Sequence, residues 1–286
     1  MVPGIGCGQR RRAGGVACVD VVALLGIGLL TGVTTVLFGF GGGFVAVPVV
    51  VWTDSALGAD AIRVATATSA LVMVVNAAFA TAVTPRRVLA ALRGGGPLLV
   101  LLGVGAAAGA FAARHAPAGL IRWAFVAYVA LTVVDLLLRP GFLRPHTPAG
   151  VAAGTPRPLP AAIGAPVGAV AAFLGVGGSV MTVPAMRRAG HTMHVATALA
   201  NPLTLAIALP AAAVFLSGSA DPAGAHPHLA LIGLVDLRAA GALLLGALPV
   251  IAVLRRRPPH IPDRLYAWTY VALLAAVAVA MVLFPD

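Results

Sequence analysis

Apolar positions in this chain neither alternate nor keep to one stripe of a helix. They run on in stretches that suit a membrane interior. A helix crossing the hydrocarbon core needs about 17–25 such residues. Runs of that kind fall at 19–38, 62–83, 97–113, 120–138, 194–217, 230–254 and 265–284. An eighth, 161–186, is cut by a glycine cluster into two pieces, each about half a membrane thick. An earlier cluster leaves a similar short piece at 44–52. The pattern predicts an all-α polytopic membrane protein.

The two clusters are copies of each other. Gly39 to Pro48 reads GFGGGFVAVP and Gly175 to Pro184 reads GVGGSVMTVP, each led in by a glycine pair, Gly28 and Gly32 or Gly164 and Gly168. The offset is 136 residues throughout, so the chain is two repeats of one unit. A leader at 1–18, a first repeat at 19–138, a linker at 139–160 and a second repeat at 161–284 follow. Each repeat holds one broken segment, re-entrant in one reading, and three ordinary spans. The linker carries six prolines between Pro140 and Pro160 and is expected to be extended. In a bilayer, the N–H and C=O groups freed at a break must face protein or a water-filled cavity. Paired breaks at matching places in two halves point to a transporter's binding site. The leading glycine pairs have the G-x-x-x-G spacing of close helix packing.

The order G-x-x-x-G, G-x-G-G-G and V-P, trailed by Ala65-Thr66-Ala67-Thr68-Ser69, resembles the TauE/SafE family of sulfite and organosulfonate exporters. In the second half the counterpart is Ala196-Thr197-Ala198-Leu199-Ala200, with Ala200 in place of Ser69. The resemblance implies a multi-pass permease of the plasma membrane that exports sulfite or an organosulfonate.

Composition agrees with a membrane protein: 60% of residues are hydrophobic, 9% are charged and the mean hydropathy is +1.01. The net charge of +11 comes from 19 basic residues, all arginine. Most lie between apolar spans, so the charge speaks for membrane topology and against nucleic-acid binding. Arg86, Arg87 and Arg93 place the loop at 84–96 in the cytoplasm; Arg139, Arg144 and Arg157 place the linker there, and Arg255, Arg256, Arg257 and Arg264 do the same near the end. The loop at 218–229, with Asp221 and no arginine, is expected outside. On this count 194–217 runs outward and 62–83 inward, which makes the repeats inverted. Residues 19–52 either dip in from outside or truly cross, where Arg10, Arg11 and Arg12 favour crossing, so complete crossings number six to eight. Cys7 and Cys18 precede the first run and show no metal-ligand spacing.

Candidate chemistry centres on the breaks. Gly41, Gly42 and Gly43, and Gly177, Gly178 and Ser179, are more small residues in a row than packing needs. Unpaired N–H groups at the start of the half helices that follow would offer donors and a positive dipole end to an anion. Thr66, Thr68, Ser69 and Thr197 would add hydroxyl donors, and Asn201, before Pro202, an amide. Asn76 is a further polar residue within a span. Asp135 is expected to pair with Arg139, and His191 and His194 flank the start of a span. An anion channel and, less favoured, an intramembrane hydrolase using Ser179 and His194 are the alternatives, whereas a nucleotide-driven pump lacks its G-x-x-x-x-G-K-[ST] loop. No cofactor, metal or nucleic acid is expected; the partners are a small anion, membrane lipid and a coupling proton or sodium ion, with oligomeric state open.

Overall fold

The computed structural model describes residues 24–53, 61–92, 94–139, 142, 159–217, 231–256 and 261–283. The leader at 1–18, most of the linker and the loop at 218–229 lie outside the described residues. Helices follow the predicted runs closely. The first repeat comprises α1 (Leu24–Phe38), α2 (Gly43–Thr53), α3 (Ala61–Ala82), a single turn α4 (Arg86–Leu89), α5 (Gly96–His115) and α6 (Ala118–Leu138). The second comprises α7 (Gly164–Leu174), α8 (Ser179–Arg188), α9 (Met193–Leu216), α10 (Leu237–Arg256) and α11 (Asp263–Leu283). Among the described residues, six of these, α3, α5, α6, α9, α10 and α11, are long and apolar enough to cross a membrane.

One predicted run is shortened. Residues 231–236 form a hairpin, β1 (Leu231–Ile232) against β2 (Val235–Asp236), turning through Gly233 at φ +60°. The chain enters α10 only afterwards, because the Asp236 carboxylate accepts the Arg238 N–H at 2.8 Å and so caps the helix start. Thr68 anchors the hairpin by accepting the Asp236 N–H at 2.9 Å.

Helix packing crosses between the repeats. α5 lies along α7, where an added methyl at Gly105 or Gly109 would collide with the carbonyls of Ala165 and Ala169. The corresponding pair is α1 along α10. A methyl at Gly28 would lie 2.5 Å from the Leu243 carbonyl oxygen, and one at Gly32 2.6 Å from that of Ala247. The central helices α3 and α9 pack against each other. In lipid there is no water to expel from between apolar helices, so closeness of approach and dispersion replace the hydrophobic effect as the source of association. That is why the glycines occupy contact faces.

Helix ends gather in two groups. At one end of the bundle, Asp135 at the close of α6 pairs with Arg139 at 2.9 Å and with Arg188 of α8 at 2.6 Å, and Arg187 pairs with Asp263 at the start of α11 at 2.6 Å. The expected Asp135–Arg139 pair is therefore present, and Arg188 joins it. At the other end, arginines spend their donors on carbonyls left open where helices stop. Arg63 bonds the Ala116 oxygen at 2.7 Å, Arg114 that of Val214 at 3.3 Å and Arg122 that of Met281 at 3.2 Å.

The packing carries a prediction. Gly32→Ala and Gly168→Ala push a methyl into backbone, so each should cost about 1–3 kcal/mol of overpacking and lower the thermal midpoint in detergent. Gly26→Ala, where nothing lies within 4 Å of the added carbon and alanine is the better helix former, should hold or raise the midpoint.

Candidate functional site

Two backbone turns meet at the centre of the bundle. α1 stops at Phe38 and α7 at Leu174, and each is followed by a glycine in the left-handed region, Gly39 at φ +73° and Gly175 at φ +69°. Two residues on, Gly41 at φ +64° and Gly177 at φ +68° repeat the conformation. Side chains with a Cβ rarely adopt it, which explains why the two copies keep glycine at these places. Behind α7, the Gly175 N–H bonds the Ala172 oxygen and the Val176 N–H the Ala171 oxygen, a Schellman closure. New helices then start at Gly43 and Ser179.

Each turn rests on the central helix of the other repeat. A methyl at Gly39 would lie 2.6 Å from the Thr197 oxygen, and one at Gly175 2.9 Å from Ser69 Oγ and from the Thr66 methyl. The single Ser69 hydroxyl proton lies within reach of two carbonyls, Gly175 O at 3.0 Å and Thr66 O at 2.8 Å. The turns also touch one another, since a methyl at Gly177 would lie 3.2 Å from Phe40 O. Gly41 and Gly177 both face Met73 and Thr204. A ring cluster of Phe38, Phe40, Phe44 and Tyr270 packs beside them. Pro184 lacks the N–H that would bond the Val180 carbonyl within α8. Tyr270 donates across instead, to Ser179 O at 3.3 Å and Val180 O at 3.5 Å.

Among the described residues, several buried polar atoms without partners lie where the half helices begin. Asn76, fully buried, has neither Oδ1 nor Nδ2 satisfied, and its Nδ2 lies 2.7 Å from where a Gly42 methyl would sit. Thr31, unpartnered through Oγ1, abuts the same glycine. At the second break Ser179 Oγ and Thr182 Oγ1 are buried and unpartnered, as is Asn201 Oδ1 on α9. An unmet buried polar group costs about 1–3 kcal/mol. Several such groups beside two helix N-termini, whose amides lack intrahelical acceptors and carry the positive dipole end, form a neutral but electropositive centre. The donors here, the Thr31, Ser179 and Thr182 hydroxyls, Asn76 Nδ2 and the first-turn amides, suit an oxyanion, whereas Asn76 Oδ1 and Asn201 Oδ1 are acceptors that call for a donor.

The predicted site residues separate into groups. Gly41, Gly42, Gly43, Gly177, Gly178, Ser179 and Ser69 come together at the two turns. Thr66 reaches them through its methyl and Cα and Thr197 through its carbonyl, but the Thr66 hydroxyl bonds its own helix at Ile62 O. Thr197 Oγ1 sits 3.4 Å from Tyr266 Oη, and Asn201 donates to Thr197 O at 3.2 Å. Thr68 points to the hairpin. Thr31, Thr182, Met73, Thr204 and Tyr270 were not singled out in sequence. Only their position in a span, as polar groups in apolar surroundings, marks the threonines there. His191 lies between α8 and α9, where burial lowers its imidazole below the ordinary value and leaves it neutral near pH 7.

A family model described as Sulfite exporter TauE/SafE matches residues 24–281. No curated protein and no solved structure matches the chain.

Two substitutions separate ligand binding from packing. Asn76→Leu replaces an unsatisfied amide by an apolar group of similar size, so on stability alone it should be neutral or favourable. We expect anion flux to fall at least tenfold while the thermal midpoint holds or rises; unchanged flux would make Asn76 a packing residue. Ser179→Ala should be mild, because Gly43 at the matching position has no hydroxyl, and a severe loss would mean the halves are functionally unequal.

Proposed function

Because the chain belongs to the sulfite exporter TauE/SafE family, we propose that it is a secondary transporter of the plasma membrane. Its substrate on this reading is a small anion, sulfite or an organosulfonate, moved outward by alternating access around the two glycine turns. The observation that carries the reading is the meeting of two half-helix starts, at Gly43 and Ser179, each beside buried polar atoms with no partner. Among the break residues named above no side chain is cationic, so an anion would be held by N–H, hydroxyl and amide donors. Neutral donors bind an anion without a buried countercharge that would hold it too firmly for release.

Opposed insertion of the two halves follows on the same reading. Arg63 at the start of α3 and Arg114 near the close of α5 reach, respectively, Ala116 and Val214, so α3 starts where α9 finishes. α1 and α2 fold back on each other, with Gly42 against Thr31 and Thr35. α7 begins beside the start of α5, at Leu98, and α8 finishes beside the close of α6. We infer two re-entrant hairpins dipping in from opposite faces, with the arginine-rich end in the cytoplasm. A hinge between such halves would expose the centre alternately.

Two measurements test the reading. In proteoliposomes, labelled sulfite flux should saturate and should accelerate when unlabelled anion is trapped on the far side, as a carrier requires. Flux without counter-exchange would indicate a channel, and no flux at all, with sulfite or with sulfonates, would sink the transporter reading. Membrane-impermeant labelling of intact cells should mark a tag in the loop at 218–229 and spare one in the linker at 139–160; a labelled linker would overturn the orientation.

A further inference from the structure

The two ends of the central helix pair, α3 and α9, differ. Where α3 closes and α9 starts, a cavity of about 390 Å³ lies among Val83, His194, Asp263 and Tyr266 and reaches Val36 and Leu37 in the last turn of α1, just short of Gly39. Where α3 starts and α9 closes, the hairpin β1–β2 occupies the bundle instead. Its second strand is inward, with Val235 and Asp236 both buried, and the Leu234 N–H bonds Phe215 O near the close of α9 at 3.4 Å. Thr68, which accepts the Asp236 N–H at 2.9 Å, lies two turns inside α3, about 10 Å along the axis from Ala61. Its neighbour Ser69 reaches Gly175 O. The hairpin therefore descends to the level of the second turn.

Non-helical backbone at membrane depth must be covered by protein or must line a water path. Seated, the hairpin meets the first condition; lifted, it would meet the second. Its ladder is short, Leu231 against Asp236 and Ile232 against Val235, and a two-stranded ribbon of that size is marginal without a seat. That seat is the buried Val235 side chain, the Thr68 bond and the long Leu234 bond. No helix has to break for the hairpin to leave it. Water entering from the open end would satisfy the Thr68 hydroxyl and the Asp236 amide in place of each other. The Asp236 carboxylate, capping α10 through the Arg238 N–H, would keep the helix start intact as the hinge.

We propose that residues 231–236 are the outer gate of the path to the two glycine turns, shut in this structure while the cytoplasmic end holds an open cavity. The assignment rests on the transporter reading, and on its orientation, for the gate's purpose, but the movement can be read without transport. Adjacent residues of one rigid helix join gate to centre: Thr68 holds the hairpin and Ser69 meets the Gly175 turn. A shift of the second turn against α3 is thereby passed to the hairpin's seat.

The test uses the full chain with Cys7→Ser and Cys18→Ser, and Met73→Cys as reporter, because Met73 faces both Gly41 and Gly177. A charged, membrane-impermeant methanethiosulfonate applied to intact cells should label the reporter at least fivefold faster once Thr68→Val removes the hairpin's acceptor. Thr68→Ser, which keeps the oxygen, should restore the slow rate. Equal rates in all three overturn the gate. In a second protein without the reporter, Thr68→Cys with Asp236→Cys should, on oxidation, cut sulfite flux in proteoliposomes at least tenfold, and reductant should restore it. A disulfide that forms and leaves flux unchanged, or a pair that cannot be oxidised, overturns the gate as well. Ile232→Cys, exposed on the hairpin, should be labelled in intact cells, and labelling from the cytoplasmic face alone overturns the outer placement. Faster reporter labelling in Thr68→Val, in a protein that moves neither sulfite nor sulfonates, would leave the gate standing and sink the transporter reading.

Discussion

Two stretches of non-helical backbone at the middle of an apolar bundle constrain everything else in this protein. A helix hides its own N–H and C=O groups, but a turn cannot, and hydrocarbon offers them nothing. The chain therefore has to surround both turns with protein. It does so by resting each on the central helix of the opposite repeat, Gly39 on Thr197 and Gly175 on Thr66 and Ser69, and by setting the aromatic rings of Phe40, Phe44 and Tyr270 alongside. Neither repeat could bury its own break in this arrangement, so the two halves depend on each other to fold.

The small residues outside the turns serve the same end. α1 along α10 and α5 along α7 approach until glycine backbones meet carbonyls, and each contact joins the first repeat to the second. Close approach multiplies dispersion contacts that are individually about 0.1–0.2 kcal/mol. It also shortens the distance between the turns to direct contact, Gly177 against Phe40. Packing and site formation are thus one process.

Many hydroxyls in the spans bond a carbonyl one turn back, as Thr66, Thr132 and Thr269 do. Unpartnered ones among the described residues include Thr31, Ser179 and Thr182, which with the Asn76 amide lie beside the two half-helix starts, and Thr81 and Tyr128 elsewhere. The centre is electropositive through helix dipoles rather than through a charged side chain.

Much of this was legible in the chain. Apart from the run at 230–254, whose start the hairpin takes, the run lengths gave the helices to within a few residues, the offset between the glycine clusters gave the matching breaks, and the order of their motifs gave the family, since each of these is a local or periodic property of the sequence. The left-handed backbone at Gly39, Gly41, Gly175 and Gly177 is likewise a local matter, because only glycine readily takes it. Which hydroxyls face the turns was not legible. Thr68 and Ser69 are adjacent, yet one holds a hairpin 168 residues away and the other a glycine carbonyl 106 residues away. Arg255 and Arg256 read alike, yet the first is half-buried and the second exposed. A helix places successive residues about 100° apart, but which side becomes interior is decided by the elements that arrive from the other half of the chain.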